Sequence, residues 1–325
     1  MRSRSESAIL QLLHTPKIGA RTLQKILEIA RREDVPVEDL IADSGESLGQ
    51  FGIKSLNATS LETGRNLADQ VENELAEGSI EMLVNGEAGY PNSLTRREVA
   101  GVAPVLFAAG NTLIARQPGV AFCGSRDASA NGLKIACQCA ELLSSKNVSI
   151  VSGYAQGVDL AAHGAALKSG GFTTIVLPEG ILRFRVKREI VEDFDWARTL
   201  VLSQFPPRMS WTAGNAMQRN AVILGLAEVV VVIEAGTTGG TFAAGEAALK
   251  QSQSLFVVDF TNPPESAAGN RILLDRGATP LRMRHDGQPN LAEVERLLAE
   301  RGKAMPATSS IARQPTLFDH VVEAS

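Results

Sequence analysis

The chain has 325 residues, 44% of them hydrophobic and 21% charged, a composition typical of globular proteins and unlike that of disordered chains. The formal net charge of −4 excludes a protein that is basic overall, so any nucleic-acid site must be a local basic patch. The three cysteines, Cys123, Cys137 and Cys139, have neither CxxC spacing nor a nearby histidine cluster, and no apolar run approaches the ~20 residues of a membrane span. We therefore expect a cytoplasmic protein without a metal, a cofactor or a membrane partner.

Residues 1–80 show the pattern of a small helical domain. Apolar residues at helical spacing fall within 8–13 and again within 23–30, and the segment TPKIGARTL between them carries proline and glycine. This unit is similar in kind to a helix-hairpin-helix or SAM-like domain, which offers main-chain N–H groups to a phosphate. An ordinary packing unit of helices fits the same pattern. The Gly- and Pro-rich stretch 81–118 predicts a linker that leads into the next domain.

Short apolar runs alternate with helical stretches between residues 119 and 285. Several of these runs, such as EVVVVI at 228–233, are continuous, which indicates strands buried on both faces. Strand–helix alternation of this kind predicts an α/β domain with a Rossmann-like, doubly wound and mostly parallel sheet. Residues 286–325 predict one helix followed by a flexible, polar tail.

Four small polar or glycine-containing clusters lie where the predicted strands end and helices begin. Ligands of doubly wound sheets bind at the carboxyl ends of the strands, where glycines admit a phosphate and helix N-termini present N–H groups to it. The clusters therefore predict one site for a phosphate-bearing, polyanionic ligand. The candidate binding residues are Gly124, Ser125, Arg126, Ser152, Gly153, Gln156, Gly157, Arg219, Asn220, Gly239, Gly240 and Thr241.

Three further residues are candidates for a supporting role: Asp159, His163 and Glu234. Asp159 and His163 are four apart and share one face of a predicted helix, so the carboxylate could orient the imidazole toward a ligand. A helix-start aspartate beside a packed histidine is the alternative. The loop after residue 123 lacks a GxGxxG fingerprint and its acidic ribose-binding partner, which disfavours NAD. We expect no catalytic residues, because no activated nucleophile or metal cluster accompanies the loops.

The chain resembles the DNA-processing protein A (DprA/Smf) family over residues 85–283. The strings that carry the resemblance are GSRDASANG from 124, SGYAQGVDLAAHGAAL from 152 and MQRNAVILGLAEVVVVIEA from 217, in the family's order. The resemblance implies a Rossmann-like fold, single-stranded DNA binding, a homodimer, and loading of a RecA-type recombinase during DNA uptake. It assigns phosphate contacts to Ser125 and Arg126, and the same groove to Ser152, Gly153, Gly157, Arg219 and Asn220.

The chain departs from the family's pattern at two basic positions. Gln156 and Ala221 stand where the family has positive charges, which would remove about two phosphate contacts. This pattern is consistent with a diverged member, such as one attached to phage defence rather than competence. In the tail, Gln314–Phe318 resembles the QxxLF peptide that docks on the sliding clamp.

Two other functions fit parts of the sequence. The segment GTTGGTFAAGE resembles the GGxGTxxE segment of LOG-type nucleotide phosphoribohydrolases, in which Glu246 and Arg219 would act on a nucleoside monophosphate. A regulatory or antitoxin protein that senses a small nucleotide in the same pocket is the other alternative.

Overall fold

A computed structural model describes residues 3–54, 56–96 and 101–302 of the chain. The expected tail and its Gln314–Phe318 peptide lie outside the described residues. None of the described helices is both long and apolar enough to cross a membrane.

Four helices occupy the first part of the chain. They are α1 (Arg4–His14), α2 (Ala20–Glu33), α3 (Val37–Ala42) and α4 (Ala58–Glu77). The side chain of Ser3 accepts a hydrogen bond from the N–H of Glu6, whose side chain accepts one from the N–H of Ser3, so a capping box starts α1. Helix α1 packs closely on α4 at Gly64, where a Cβ would lie 2.6 Å from the carbonyl oxygen of Gln11.

A single nine-stranded sheet follows. Its strands are β1 (Glu81–Val84), β2 (Val105–Gly110), β3 (Gly119–Cys123), β4 (Ser149–Ser152), β5 (Thr173–Leu177), β6 (Thr199–Ser203), β7 (Val229–Val232), β8 (Ser254–Val258) and β9 (Thr279–Leu281). The order is β1-β2-β6-β5-β4-β3-β7-β8-β9, and all neighbours are parallel except β2, which is antiparallel to β1 and β6. This topology confirms the predicted doubly wound sheet.

The segment 81–118 is more than the expected linker, since it contributes β1 and β2 to the sheet. Apolar residues of β2, such as Phe107, share one buried cluster with Leu10 of α1 and Ile26 of α2. The N-terminal helices therefore share one hydrophobic core with the antiparallel end of the sheet.

Helices cover both faces of the parallel strands. They are α5 (Asn92–Arg96), α6 (Ala130–Ser144), α7 (Val158–Lys168), α8 (Ala213–Leu226), α9 (Gly240–Lys250), α10 (Ala268–Asp275) and α11 (Ala292–Gly302). Val120 and Phe122 of β3 pack with α6 and α7, whereas Ala121 and Cys123 face α8 and α9. The chain runs from β3 through β4 to one side and from β7 through β8 to the other. The carboxyl end of β3 is therefore the switch point at which such sheets form a crevice.

Candidate functional site

Two adjoining cavities lie at the carboxyl ends of the central parallel strands. The first has a volume of about 370 Å³, and we call it the cationic cavity because its lining includes Arg126, Arg183, Arg185, Lys187 and Arg219. The second has a volume of about 400 Å³, and we call it the neutral cavity. Apart from the residues that it shares with the first, its lining has uncharged groups and one carboxylate but no cation. Arg126, Ala155, Ala216 and Arg219 line both, so the two cavities meet at the two arginines that the sequence predicted.

The structure brings ten of the twelve candidate binding residues to these cavities. The neutral cavity is lined by Gly124, Ser125, Ser152, Asn220, Gly240 and Thr241, the cationic cavity by Gly153 and Gln156, and both by Arg126 and Arg219. Gly157 and Gly239 line neither. The predicted convergence of separate loops is therefore present in the fold.

Glycines allow the loops after β3 and β4 to touch. Gly157 has a φ of +82°, and a Cβ there would lie 2.3 Å from the carbonyl oxygen of Ser125. On the opposite side, a Cβ at Gly124 would lie 2.2 Å from a methyl group of Val158. Gly157 thus shapes the site through backbone contact, since any side chain would push Arg126 and its loop away.

Arg219 is a fixed part of the cavity walls. It is only 7% exposed, and its Nη1 donates hydrogen bonds to the carbonyl oxygen of Gly153 at 2.5 Å and to that of Val176. Burial lowers the pKa of the guanidinium, and the nearby carboxylate of Asp159 opposes that shift. A buried, anchored cation of this kind supplies positive potential to both cavities without being free to follow a ligand.

Of the two interpretations of Asp159 and His163, the structure has the helix-start aspartate and the packed histidine. The carboxylate of Asp159 accepts a hydrogen bond from the N–H of Ala155 at 3.1 Å, and burial raises its pKa while Arg219 opposes the shift. His163 is fully buried, and its Nδ1 lies 2.6 Å from the hydroxyl of Thr173, which itself donates to the carbonyl oxygen of Ile150. Nδ1 must therefore be the donor. Burial lowers the pKa of His163 to about 3, so the ring is a neutral packed group and lines neither cavity.

Glu234 supports the loop after β3 and lines neither cavity. Its buried carboxylate accepts hydrogen bonds from the N–H and hydroxyl of Ser129, at 2.9 and 2.5 Å, and from the hydroxyl of Ser266 at 2.6 Å. Ser129 is the N-cap of α6. The N-terminus of α6, expected to receive a ligand phosphate, is thus already stabilised by the protein's own negative charge.

Sequence reasoning missed the basic segment after β5. Arg183, Arg185 and Lys187 alternate with apolar residues there, and that run of basic residues was the available signal. Lys187 donates from Nζ to the carbonyl oxygen of Tyr154 at 2.9 Å and lies 4.8 Å from the centre of its ring. Tyr154 has a φ of +65°, and its hydroxyl donates to the carbonyl oxygen of Arg185 at 3.1 Å. The segment is therefore held against the loop that follows β4.

Trp211 is the second residue that sequence reasoning missed. It precedes α8, lines the cationic cavity and is 48% exposed. The guanidinium carbon of Arg126 lies 5.9 Å from the centre of its ring. An exposed aromatic face beside a cluster of cations is the combination that single-stranded nucleic-acid sites use.

The residues required for the hydrolase alternative do not come together. Glu246 forms an ion pair with Arg276 and lines neither cavity, whereas Arg219 lines both cavities. Within the described parts of the chain, no cluster of three or more His, Cys, Asp or Glu residues could hold a metal ion.

The family model and the sequence relatives give one consistent family. Residues 81–289 match the family model for DNA recombination-mediator protein A. DNA processing protein DprA of Streptococcus pneumoniae is 33% identical over 207 residues, which cover 63% of this chain and 71% of that protein. Protein Smf of Synechocystis is 29% identical over 205 residues, 61% of this chain and 50% of that protein. The matched family range contains all nine strands and every residue that lines the two cavities.

Solved structures share the fold. The crystal structure of DNA processing protein A from Streptococcus pneumoniae aligns with a TM-score of 0.67 and 25% identity, covering 86% of this chain and 95% of that one. DNA processing protein A of Helicobacter pylori, described by its single-stranded DNA binding mode, aligns with a TM-score of 0.54 and 22% identity. That alignment covers 70% of this chain and 97% of the Helicobacter chain.

Proposed function

Because the chain belongs to the DNA recombination-mediator protein A family, we propose that it binds single-stranded DNA by its sugar-phosphate backbone and acts in DNA processing and recombination. The observation that carries the proposal is the charge of the cationic cavity. Five cations from three separate segments line it, together with the single carboxylate of Glu179. On a chain whose net charge is −4, such a concentration of positive charge is a local site for a polyanion.

The cations differ in what they contribute. Arg126 and Arg183 are exposed at the cavity and contact phosphates directly, whereas Arg219 supplies fixed charge from below. The charges absent at Gln156 and Ala221 are offset by Arg183 and its neighbours in the basic segment after β5. Affinity for a single strand is therefore retained despite those two departures from the family's pattern.

Trp211 supplies a stacking surface for one base. Base–aromatic stacking tolerates any sequence, because every base has a π face. Backbone contacts from arginines together with one exposed ring give binding to single strands without sequence preference.

The protein acts as a binding module without a catalytic step. The carboxylate that a nucleotide hydrolase would need, Glu246, is paired with Arg276 away from the cavities. A homodimer that presents two cationic cavities to one strand would raise the overall affinity by avidity. We include in the proposal a cytoplasmic location and a RecA-type recombinase as partner, and the Gln314–Phe318 peptide as a docking segment for the sliding clamp.

The test is a fluorescence anisotropy titration with labelled oligothymidine at several salt concentrations. We expect binding at low salt, and we expect the logarithm of the association constant to fall linearly with the logarithm of the salt concentration, because binding releases counterions. Arg126→Ala should weaken binding. It should also reduce the slope of log K against log salt concentration by ~0.7, the value for one phosphate contact of a single strand. A wild-type protein that binds no oligothymidine at low salt would refute the proposal.

A further inference from the structure

The two cavities differ in the chemistry of their linings although they share Arg126 and Arg219. The cationic cavity adds three more cations to that pair. The neutral cavity adds none, and its own polar groups include the amide of Asn220, the hydroxyl of Thr241 and the carboxylate of Asp159. One wall of the neutral cavity is apolar, with Ile223 of α8 and Ala244 of α9.

This contrast decides which part of a nucleotide each cavity suits. A phosphate in the neutral cavity would face the buried carboxylate of Asp159, which like-charge repulsion disfavours. An uncharged base has flat apolar faces and hydrogen-bonding edges, which match the apolar wall and the amide and hydroxyl groups. The volume of about 400 Å³ lies within the range of small-molecule pockets.

We propose that the neutral cavity is a nucleoside site, and that Arg126 and Arg219 at its junction with the cationic cavity hold the attached phosphate. The ligand class is a nucleoside monophosphate, free or as one unstacked residue of a strand. The proposal deepens the proposed function and rests on it for the strand, but binding of a free nucleotide can be measured independently.

Gly240 allows the neutral cavity to be filled selectively. It is the first residue of α9 and lines the neutral cavity but not the cationic one. A Cβ at this position would lie 3.6 Å from the sulfur of Met217, an ordinary van der Waals distance, so the backbone at Gly240 can carry a side chain, and Gly240→Leu is designed to fill the cavity. The matched control is Gly49→Leu in the N-terminal helical part, where a Cβ would meet no heavy atom within 4 Å.

The experiment is calorimetric titration of full-length wild type, Gly240→Leu and Gly49→Leu with thymidine 5′-monophosphate, 2-deoxyribose 5-phosphate and inorganic phosphate. We expect the wild type to bind the nucleotide at least about tenfold more tightly than the base-free sugar phosphate, as one buried base should provide. Gly240→Leu should lose that tenfold preference and keep its affinity for the sugar phosphate, and Gly49→Leu should behave as the wild type.

Two results overturn the nucleoside site: equal affinity of the wild type for the nucleotide and the base-free sugar phosphate, or an unchanged preference in Gly240→Leu. If Gly240→Leu does not fold, Asn220→Ala, which removes an amide from the same wall, should reduce the preference for the nucleotide. A parallel anisotropy titration with oligothymidine separates the two proposals. Binding of the nucleotide without binding of oligothymidine supports the nucleoside site and refutes the proposed function. Binding of oligothymidine without binding of the nucleotide supports the proposed function and refutes the nucleoside site.

Discussion

Arg219 and Gly153 are in such close contact that neither can change without moving the other. The guanidinium donates a hydrogen bond to the Gly153 carbonyl oxygen at 2.5 Å, and a Cβ on Gly153 would lie 2.2 Å from Nη1 of Arg219. The contact joins helix α8 to the loop after β4, two segments 66 residues apart in sequence. It therefore holds the walls of both cavities at a fixed separation.

Gly153→Ala is the smallest change that disturbs this contact. The added methyl group would displace the buried guanidinium, and we expect the free energy of unfolding to fall by about 1–3 kcal/mol, the usual range for overpacking. Urea unfolding measures the loss. The control is Gly214→Ala in the first turn of α8, where a Cβ would meet only Thr212 Oγ1 at 3.8 Å and stability should be unchanged or slightly higher. Equal stability of Gly153→Ala and the wild type would contradict the assigned packing.

His163 should make stability depend on pH. Its pKa is lowered to about 3 in the folded protein by burial, against about 6.5 in the unfolded chain, so the unfolded chain binds the proton more readily between these values. The free energy of unfolding is therefore unaffected by protonation of His163 above about pH 6.5. Between that pH and about pH 3 it falls by ~1.4 kcal/mol for each pH unit. His163→Gln should remove this slope from urea unfolding curves measured between pH 7 and pH 4.

The matched control for that change is His285→Gln, since His285 is exposed. Carboxylates add their own slope in the same range, so the quantity compared is the difference between each variant and the wild type. If His163→Gln and His285→Gln change the pH dependence of stability by the same amount, His163 is not a buried neutral group.

Trp211 should report strand binding by its fluorescence. The chain has two tryptophans, and Trp196 is buried in a cluster with Phe184 and Phe194. Oligothymidine that stacks on Trp211 should quench its emission, and Trp211→Ala should lose about 1–3 kcal/mol of binding free energy. Trp211→Phe should keep most of the affinity but lose the quenching, whereas Trp196→Phe should keep both. Quenching that survives in Trp211→Phe would place the bound strand elsewhere.

The sequence predicted the sheet because its strands are continuous apolar runs, of which Val229–Val232 is the clearest. It did not predict β1 and β2, because their short apolar runs lie among glycines and prolines that suggest a linker. The role of Glu234 was equally hidden. Its partner Ser129 lies 105 residues away in the chain, and only the fold shows that a carboxylate already occupies the N-terminus of α6.

The same limit explains why the sequence predicted only part of the lining of the cationic cavity. Arg126 and Arg219 could be predicted from glycine loops and helix starts, which have a recognisable pattern. Arg183 and Lys187 follow β5 in an irregular segment without such a pattern, and their convergence with Arg126 depends on how that segment folds back against Tyr154.

The most direct test of the account is the salt dependence of oligothymidine binding by the double variant Arg126→Gln/Arg183→Gln. Both side chains are exposed in the cationic cavity, so the variant should bind more weakly, and its logarithmic salt slope should be smaller by about 1.4, corresponding to two phosphate contacts of a single strand. The control Arg271→Gln/Arg282→Gln removes two exposed arginines that line neither cavity and are paired with Asp275 and Asp259. Its slope should match that of the wild type. An unchanged slope and affinity in Arg126→Gln/Arg183→Gln would contradict the assignment of the cationic cavity as the DNA site.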